Sequence, residues 1–283
     1  MRALVLSGGG VKGAYQVGVL YNWLYAQQIK YDILCGVSVG ALNTSFLSQY
    51  KIGEEIRAYT DLLNLWGTID DSKIYKHWCI VRELAGLWKP SLYNSKPLMD
   101  MVRNTLDCKK IVASGRKLRV GAVSLNTGKY HLFTEEHPEI AEGVIASSAF
   151  PVFLTPIEIY GELWTDGGVK TVTPIAAAID AGATEIDIVM TSPDSSVIDN
   201  SEKPNALHVA MRVIDLMSDE IIANDVKMAL MINKALDSGA DMPGKKQISF
   251  RIVRPKELLI KNSLNFDPKE IRRMMDIGFN DGA

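Results

Sequence analysis

The sequence predicts an α/β protein built on a largely parallel sheet with helices on both faces. Three observations carry that prediction. Short apolar runs alternate with amphipathic helical patterns along the 283 residues. A glycine-rich loop, Ser7-Gly8-Gly9-Gly10-Val11-Lys12-Gly13, separates the first run from the first helix. The run Ile33-Leu34-Cys35 ends in Gly36-Val37-Ser38-Val39-Gly40, and a new amphipathic pattern follows at once.

Apolar residues make up 47% of the chain, enough for a substantial core. The formal net charge is -2, from 31 basic and 33 acidic residues, so the basic excess of a nucleic-acid binder is missing. Cys35, Cys79 and Cys108 are odd in number and widely spaced. They fit neither a disulfide framework nor a metal cluster, and a reducing, cytoplasmic setting is expected. No secretory leader follows Met1, and no apolar run approaches the ~20 residues that span a bilayer. The expectation is a soluble protein that can touch a membrane peripherally.

Ala3-Leu4-Val5-Leu6 reads as a buried first strand. The glycine loop and a helix through Ala14, Val17, Leu20 and Trp23 then make an anion cradle. Glycine N–H groups are sterically open, and the helix start adds positive charge. A nucleotide P-loop needs Lys then Ser or Thr after its last glycine; here Ala14 and Tyr15 follow Gly13. The spacing Gly8-x-Gly10-x-x-Gly13 does satisfy a dinucleotide fingerprint. That site also wants an acid ending the second strand, where this chain has Cys35-Gly36, and Asp32 comes too early. The favoured reading is an oxyanion hole for Ser38, built from Gly8, Gly9, Gly10, Val11, Lys12 and Gly13. Loops after neighbouring parallel strands open on one sheet edge. A plain glycine turn is the other reading. Lys12 either adds charge near an oxyanion or phosphate, or is an ordinary solvated lysine.

Gly-x-Ser-x-Gly between strand and helix is the form of an elbow carrying a nucleophilic serine. Gly36 and Gly40 let strand and helix approach closely, and Ser38 takes the strained turn. Residues 41–50 continue as a helix and 54–66 form another. The block 51–110 holds Trp66, Tyr75, Trp78, Trp88 and Tyr93 among few strands. It is either a helical cap over the site or a helical unit whose aromatics are its own core. Ser95-Lys96-Pro97 opens a helix with Ser95 as N-cap. Residues 118–125 form a strand that turns at Asn126-Thr127-Gly128 into a hairpin partner over 129–133. A short helix over 138–147 precedes a strand pair at 157–159 and 163–164. The second of these runs into Thr165-Asp166-Gly167-Gly168, an aspartate closing a strand before two glycines. Residues 174–181 are a helix and 185–191 a last central strand. One long helix covers 204–238, through Leu207, Ala210, Ile214, Met217, Ile221, Met228 and Ile232, with its methionines read as core filler in preference to a lipid-contacting surface. Residues 247–253 read as an edge strand. Asp267 and Glu270 frame a final helix start as N-cap and N3.

A serine hydroxyl needs a base to become a nucleophile. Of His77, His131, His137 and His208, only His208 follows Asp166, and it lies inside the long helix. Asp166 is the remaining candidate, provided burial lifts its pKa from the solvated value of about 3.9.

The glycine block 8–13, the block 36–40 and Asp166-Gly167-Gly168 together resemble the signature of the patatin-like phospholipase family. The run 146–153, with Pro156 after it, resembles that family's segment upstream of the aspartate. The likeness covers residues 3–180, with 51–110 as a helical insertion; residues 181–283 would add a final strand and helices packed on the same domain. The resemblance implies a three-layer α/β/α sandwich and a lipid acyl hydrolase with a Ser–Asp dyad. By that analogy Ser38 is the nucleophile, Asp166 the base, and the backbone of Gly9, Gly10 and Val11 the oxyanion hole. This chain has Asp-Gly-Gly where many members have Asp-Gly-Ala. The resemblance implies a lipid substrate at a membrane surface and no metal or organic cofactor. Two rival functions stay open: a dinucleotide-dependent oxidoreductase and a catalytically silent lipid-binding scaffold.

Overall fold

The computed structural model describes residues 1–78, 88–194, 206–240 and 246–283. Cys79 and the expected helix start at Pro204 lie outside them, as do the side chains of Leu207, His208 and Ala210. Eight strands form one mixed sheet: β1 (Arg2–Leu6), β2 (Ile33–Val37), β3 (Lys117–Ser124), β4 (Tyr130–Thr134), β5 (Ile157–Ile159), β6 (Glu162–Asp166), β7 (Glu185–Val189) and β8 (Ser249–Val253). The order across the sheet is β5-β6-β3-β2-β1-β7-β8, with β4 also paired to β3. The five strands from β3 to β8 in that order run parallel, and β4, β5 and β6 add antiparallel pairs.

Ten α-helices accompany the sheet in the described residues: α1 (Gly13–Leu20), α2 (Val39–Leu47), α3 (Glu55–Trp66), α4 (Asp71–Ile74), α5 (Lys96–Thr105), α6 (Cys108–Ala113), α7 (Ile140–Ser147), α8 (Ile175–Asp180), α9 (Ala206–Asp237) and α10 (Pro268–Asp281). Alternation along the strands sorts their side chains into two cores. Leu4, Leu6 and Leu34 join residues of α1, α2, α3, α5, α7 and α10. Ala3, Val5, Ile33 and Cys35 face the smaller core under α8 and α9. Covered on both sides, Ala3 to Leu6 of β1 and the whole of β2 are unbroken runs without a polar side chain, as buried parallel strands require. The three layers of the sandwich follow directly.

Several local expectations change in the folded chain. The first helix gives way at Tyr21–Ala26 to a π-helical turn, where Tyr21 packs on Tyr25, Tyr59 and Phe279. Ser95 occupies the N-cap position of α5 without capping it. Its hydroxyl accepts from Thr155 N–H, and Asn94 Oδ1 takes the Lys96 N–H instead. Asp267 does cap α10 through Lys269 N–H, but Glu270 pairs with Arg273 rather than reaching back. The methionines of α9 are not core filler: Met217, Met228 and Met231 are exposed, because only one face of this helix rests on the protein. In the 51–110 block, Trp66 is buried with its indole N–H on Asn43 Oδ1 at 2.8 Å, and Tyr75 meets Tyr93 at 4.5 Å between ring centroids. Trp88 stays exposed.

Candidate active site

β1 and β2 are parallel neighbours in register from Ala3 against Ile33 to Leu6 against Gly36, so the loops after them open on the same sheet edge. β6 lies one strand beyond β2, across β3, and delivers Asp166 opposite Ala122. Ser38 occupies the N-cap of α2 with φ 56° and ψ −129°, a conformation that costs a non-glycine residue about 1–3 kcal/mol. Close approach on either side holds it there. A Cβ at Gly36 would collide with the Gly40 carbonyl, and one at Gly40 with the Leu6 carbonyl. The Ser38 N–H is tied to Ser147 Oγ of α7 at 3.0 Å.

Asp166 is 3% exposed. Its Oδ1 accepts from Gly168 N–H at 2.7 Å. The Ser38 hydroxyl lies near enough to stabilise the carboxylate, yet Oδ2 is buried and lacks an aligned hydrogen bond among the described residues. Such contacts tighten when substrate closes a site. Burial pushes the Asp166 carboxyl up to about 7, and Gly168 N–H and Ser38 only partly oppose it.

The glycine loop is narrower as a donor set than its sequence implies. Gly8 N–H donates to Val172 O at 3.1 Å, Val11 N–H to Ser263 O at 2.8 Å and Lys12 N–H to Gly9 O at 3.2 Å. The Gly13 N–H turns to the Gly10 and Val11 carbonyls. These four amides are engaged by backbone acceptors, which leaves Gly9 and Gly10 as the loop's open donors among the described residues. Both have positive φ, 151° and 58°, which glycine adopts without strain. Thr191, just past β7, donates its hydroxyl to the Gly8 carbonyl. In a trans peptide the following N–H points the opposite way, so this bond sets the direction of Gly9 N–H. Lys12 is 6% exposed and interacts electrostatically with Asp215 of α9.

Ser38, Asp166, Gly8, Gly9, Gly10 and Lys12 line one cavity of about 310 Å³. Its walls are mostly apolar, from Phe46 of α2, Leu62 and Trp66 of α3, and Leu98 and Val102 of α5, with Asn43, Ser148 and Ser263 among the further polar lining. Ile214, Asp215 and Met217 of α9 and Leu264 of the tail complete it. Ser147, Thr191, Ser263 and the α9 residues were missed as site residues by reading the sequence. Ser147 stood inside a run already singled out, but nothing local marks Ser263 or α9. None of His77, His131 and His137 lines the cavity, and the His208 side chain is outside the described set. Asp32 accepts from Arg2 N–H at the amino ends of the strands, away from the glycine loop, so the dinucleotide reading lacks its acid.

A sheet whose first two parallel strands present an open glycine loop and a strained serine elbow to one cavity, with helices on both faces, defines a three-layer α/β/α protein. More narrowly, the chain belongs to the patatin-like phospholipase family, whose profile matches residues 4–179. It is 29% identical over 190 residues to the probable lipid hydrolase 463L of Invertebrate iridescent virus 6, covering 63% of each chain. It is 27% identical over 178 residues to a cGAMP-activated phospholipase of Pseudomonas aeruginosa, covering 58% of this chain and 51% of that one. A cGAMP-activated phospholipase of Escherichia coli is 24% identical over 199 residues, covering 62% and 53%. These matches span between half and two thirds of each relative's own length. Among the described residues no helix is long and apolar enough to cross a membrane.

Proposed function

We propose that the protein is a serine acyl hydrolase that cleaves fatty-acyl esters of phospholipids, lysophospholipids or related lipids. The observation that carries this reading is the Ser38–Asp166 pair at the polar end of an apolar cavity. Asp166 accepts the Ser38 proton as Oγ bonds to the ester carbonyl carbon, and the carbonyl electron pair moves onto oxygen. Gly9 and Gly10 N–H groups and the start of α2 meet that oxyanion. Collapse breaks the ester C–O bond. The alcohol leaves with the proton from Asp166, and the acyl group stays on Ser38. Water then bonds to the acyl carbon, giving a proton to Asp166, and Asp166 passes that proton to Ser38 Oγ as the Oγ–acyl bond breaks and the fatty acid leaves. A carboxyl near 7 is a far better base for this exchange than a solvated one. The apolar walls hold the acyl chain, and Lys12 offers charge to a nearby phosphate. The scheme needs no metal or organic cofactor. On this reading the enzyme works in peripheral contact with the membrane that holds its substrate, and the odd, scattered cysteines suit a cytoplasmic setting.

A fluorophosphonate probe with an acyl-like tail tests the chemistry. Modification should map to Ser38 and be lost in Ser38→Ala and Asp166→Asn. Hydrolysis of a p-nitrophenyl ester should fall at least ~10³-fold in both. A folded wild-type chain that takes no label and turns over no ester would leave the silent scaffold instead.

A further inference from the structure

Outside the family-matched segment, α9 carries an exposed apolar stripe. Val209, Val213, Leu216, Met217, Met228 and Met231 are each between 47% and 62% exposed. At 100° per residue they fall within about a third of the helix circumference, over a length of about 33 Å. Glu220 and Asn224, hydrogen-bonded to each other, interrupt the stripe midway. The stripe is continuous with the cavity, because Met217 belongs to both. Across the cavity, Val169 lines it and is itself exposed, and exposed Val152 adjoins the lining residue Pro151. Exposed Lys170 follows Val169, and exposed Lys227 and Lys234 lie along the second half of α9.

We propose that this face is a bilayer-docking surface. In docking, α9 lies in the membrane interface and the mouth of the cavity opens among the lipids. The proposal rests on the hydrolase reading for its purpose, but not for its physics. An apolar helix face that also carries exposed lysines, here Lys227 and Lys234, binds an interface chiefly through buried area, and those lysines add attraction to anionic headgroups. The occupant is a bilayer rather than a second copy of the chain, because a copy seated on the stripe would close the mouth that Met217 and Val169 form. An acyl chain entering that mouth from a docked bilayer need not cross water.

The test uses vesicles of phosphatidylcholine with phosphatidylserine, and the Ser38→Ala chain so that the lipid stays intact. That chain should co-sediment with the vesicles. Val213→Glu with Leu216→Glu should weaken sedimentation at least tenfold, as should Met228→Glu with Met231→Glu. Glutamate favours helix, none of the four residues lines the catalytic cavity, and circular dichroism checks the fold. In the Ser38 background both pairs should cut vesicle hydrolysis at least tenfold and leave hydrolysis of soluble p-nitrophenyl butyrate within twofold. Unchanged sedimentation in both glutamate pairs overturns the proposal. So does a wild-type dimer that ignores vesicles and that the glutamates split into monomers. Failure of the hydrolase reading looks different: butyrate is not hydrolysed, while sedimentation still responds to the glutamates.

Discussion

Asp166 is costly to the fold in the same measure as it suits the proposed role of base. The folded protein holds its proton up to about pH 7, whereas the unfolded chain releases it near 3.8. Between those values the unfolded state binds fewer protons, so this residue makes stability fall as pH rises, by on the order of a few kcal/mol above pH 7. Asp166→Asn should therefore raise the melting temperature at pH 8 and change it little at pH 4, while abolishing turnover. In the wild type, kcat/KM should rise with pH through about 7 as the carboxyl ionises. A melting temperature at pH 8 that Asp166→Asn lowers would remove the buried-charge argument. Ser38 was legible because its neighbours are glycines at fixed offsets, the one backbone chemistry a tight elbow tolerates. Thr191 was not: a threonine after a strand has no local mark of the peptide it will orient.

At the scale of elements, α3 and α5 of the 51–110 block serve the core and the cavity at once. Their apolar faces do join the main core, but Leu62, Leu98 and Val102 also form the cavity wall. Val102→Phe should shorten that space. Hydrolysis of a p-nitrophenyl palmitate should fall about tenfold relative to the butyrate, since each methylene excluded from an apolar pocket carries about 1–3 kcal/mol. An unchanged palmitate-to-butyrate ratio would mean that the chain lies elsewhere. The helix α9 is fastened to the site by Asp225, whose carboxylate accepts from Thr173 N–H at 3.2 Å. Val172, one residue earlier, receives the Gly8 N–H. Thus a helix outside the family-matched segment braces the loop that follows the Asp-Gly-Gly turn.

Across the whole molecule, the amino ends of the strands are tied together at Asp187. Arg2 Nε donates to it at 2.8 Å, Arg251 Nε at 2.7 Å and Tyr31 OH at 2.8 Å, joining β1, β7, β8 and the loop before β2. Arg251 also lies over the Trp23 ring at 3.9 Å. Burial works to raise the Asp187 carboxyl, but these three donors outweigh it and hold it below its usual value. Its contribution is therefore present above the ordinary carboxylate pKa and lost as pH falls through the lowered one. Asp187→Asn leaves two guanidinium groups facing a neutral amide. It should cost about 2–4 kcal/mol, discounted for the partly exposed arginines. The melting temperature should drop by roughly 5–10 °C, with the active-site chemistry intact. A variant as stable as the wild type would show that the network is dispensable.

The sequence by itself determined the strand–helix alternation, the elbow at Ser38 and the glycine loop, because each depends on backbone conformations or periodicities that neighbouring residues impose. It also singled out Asp166, by its position at a strand end before two glycines. Only the tertiary structure decided that Ser38 and Asp166 share a cavity, since that depends on β6 pairing antiparallel to β3. It likewise decided which loop amides stay open, because their competitors, Val172 O and Ser263 O, come from far along the chain. The exposed methionines of α9 follow the same rule. Helical periodicity says which residues share a face, and only packing says whether that face is covered.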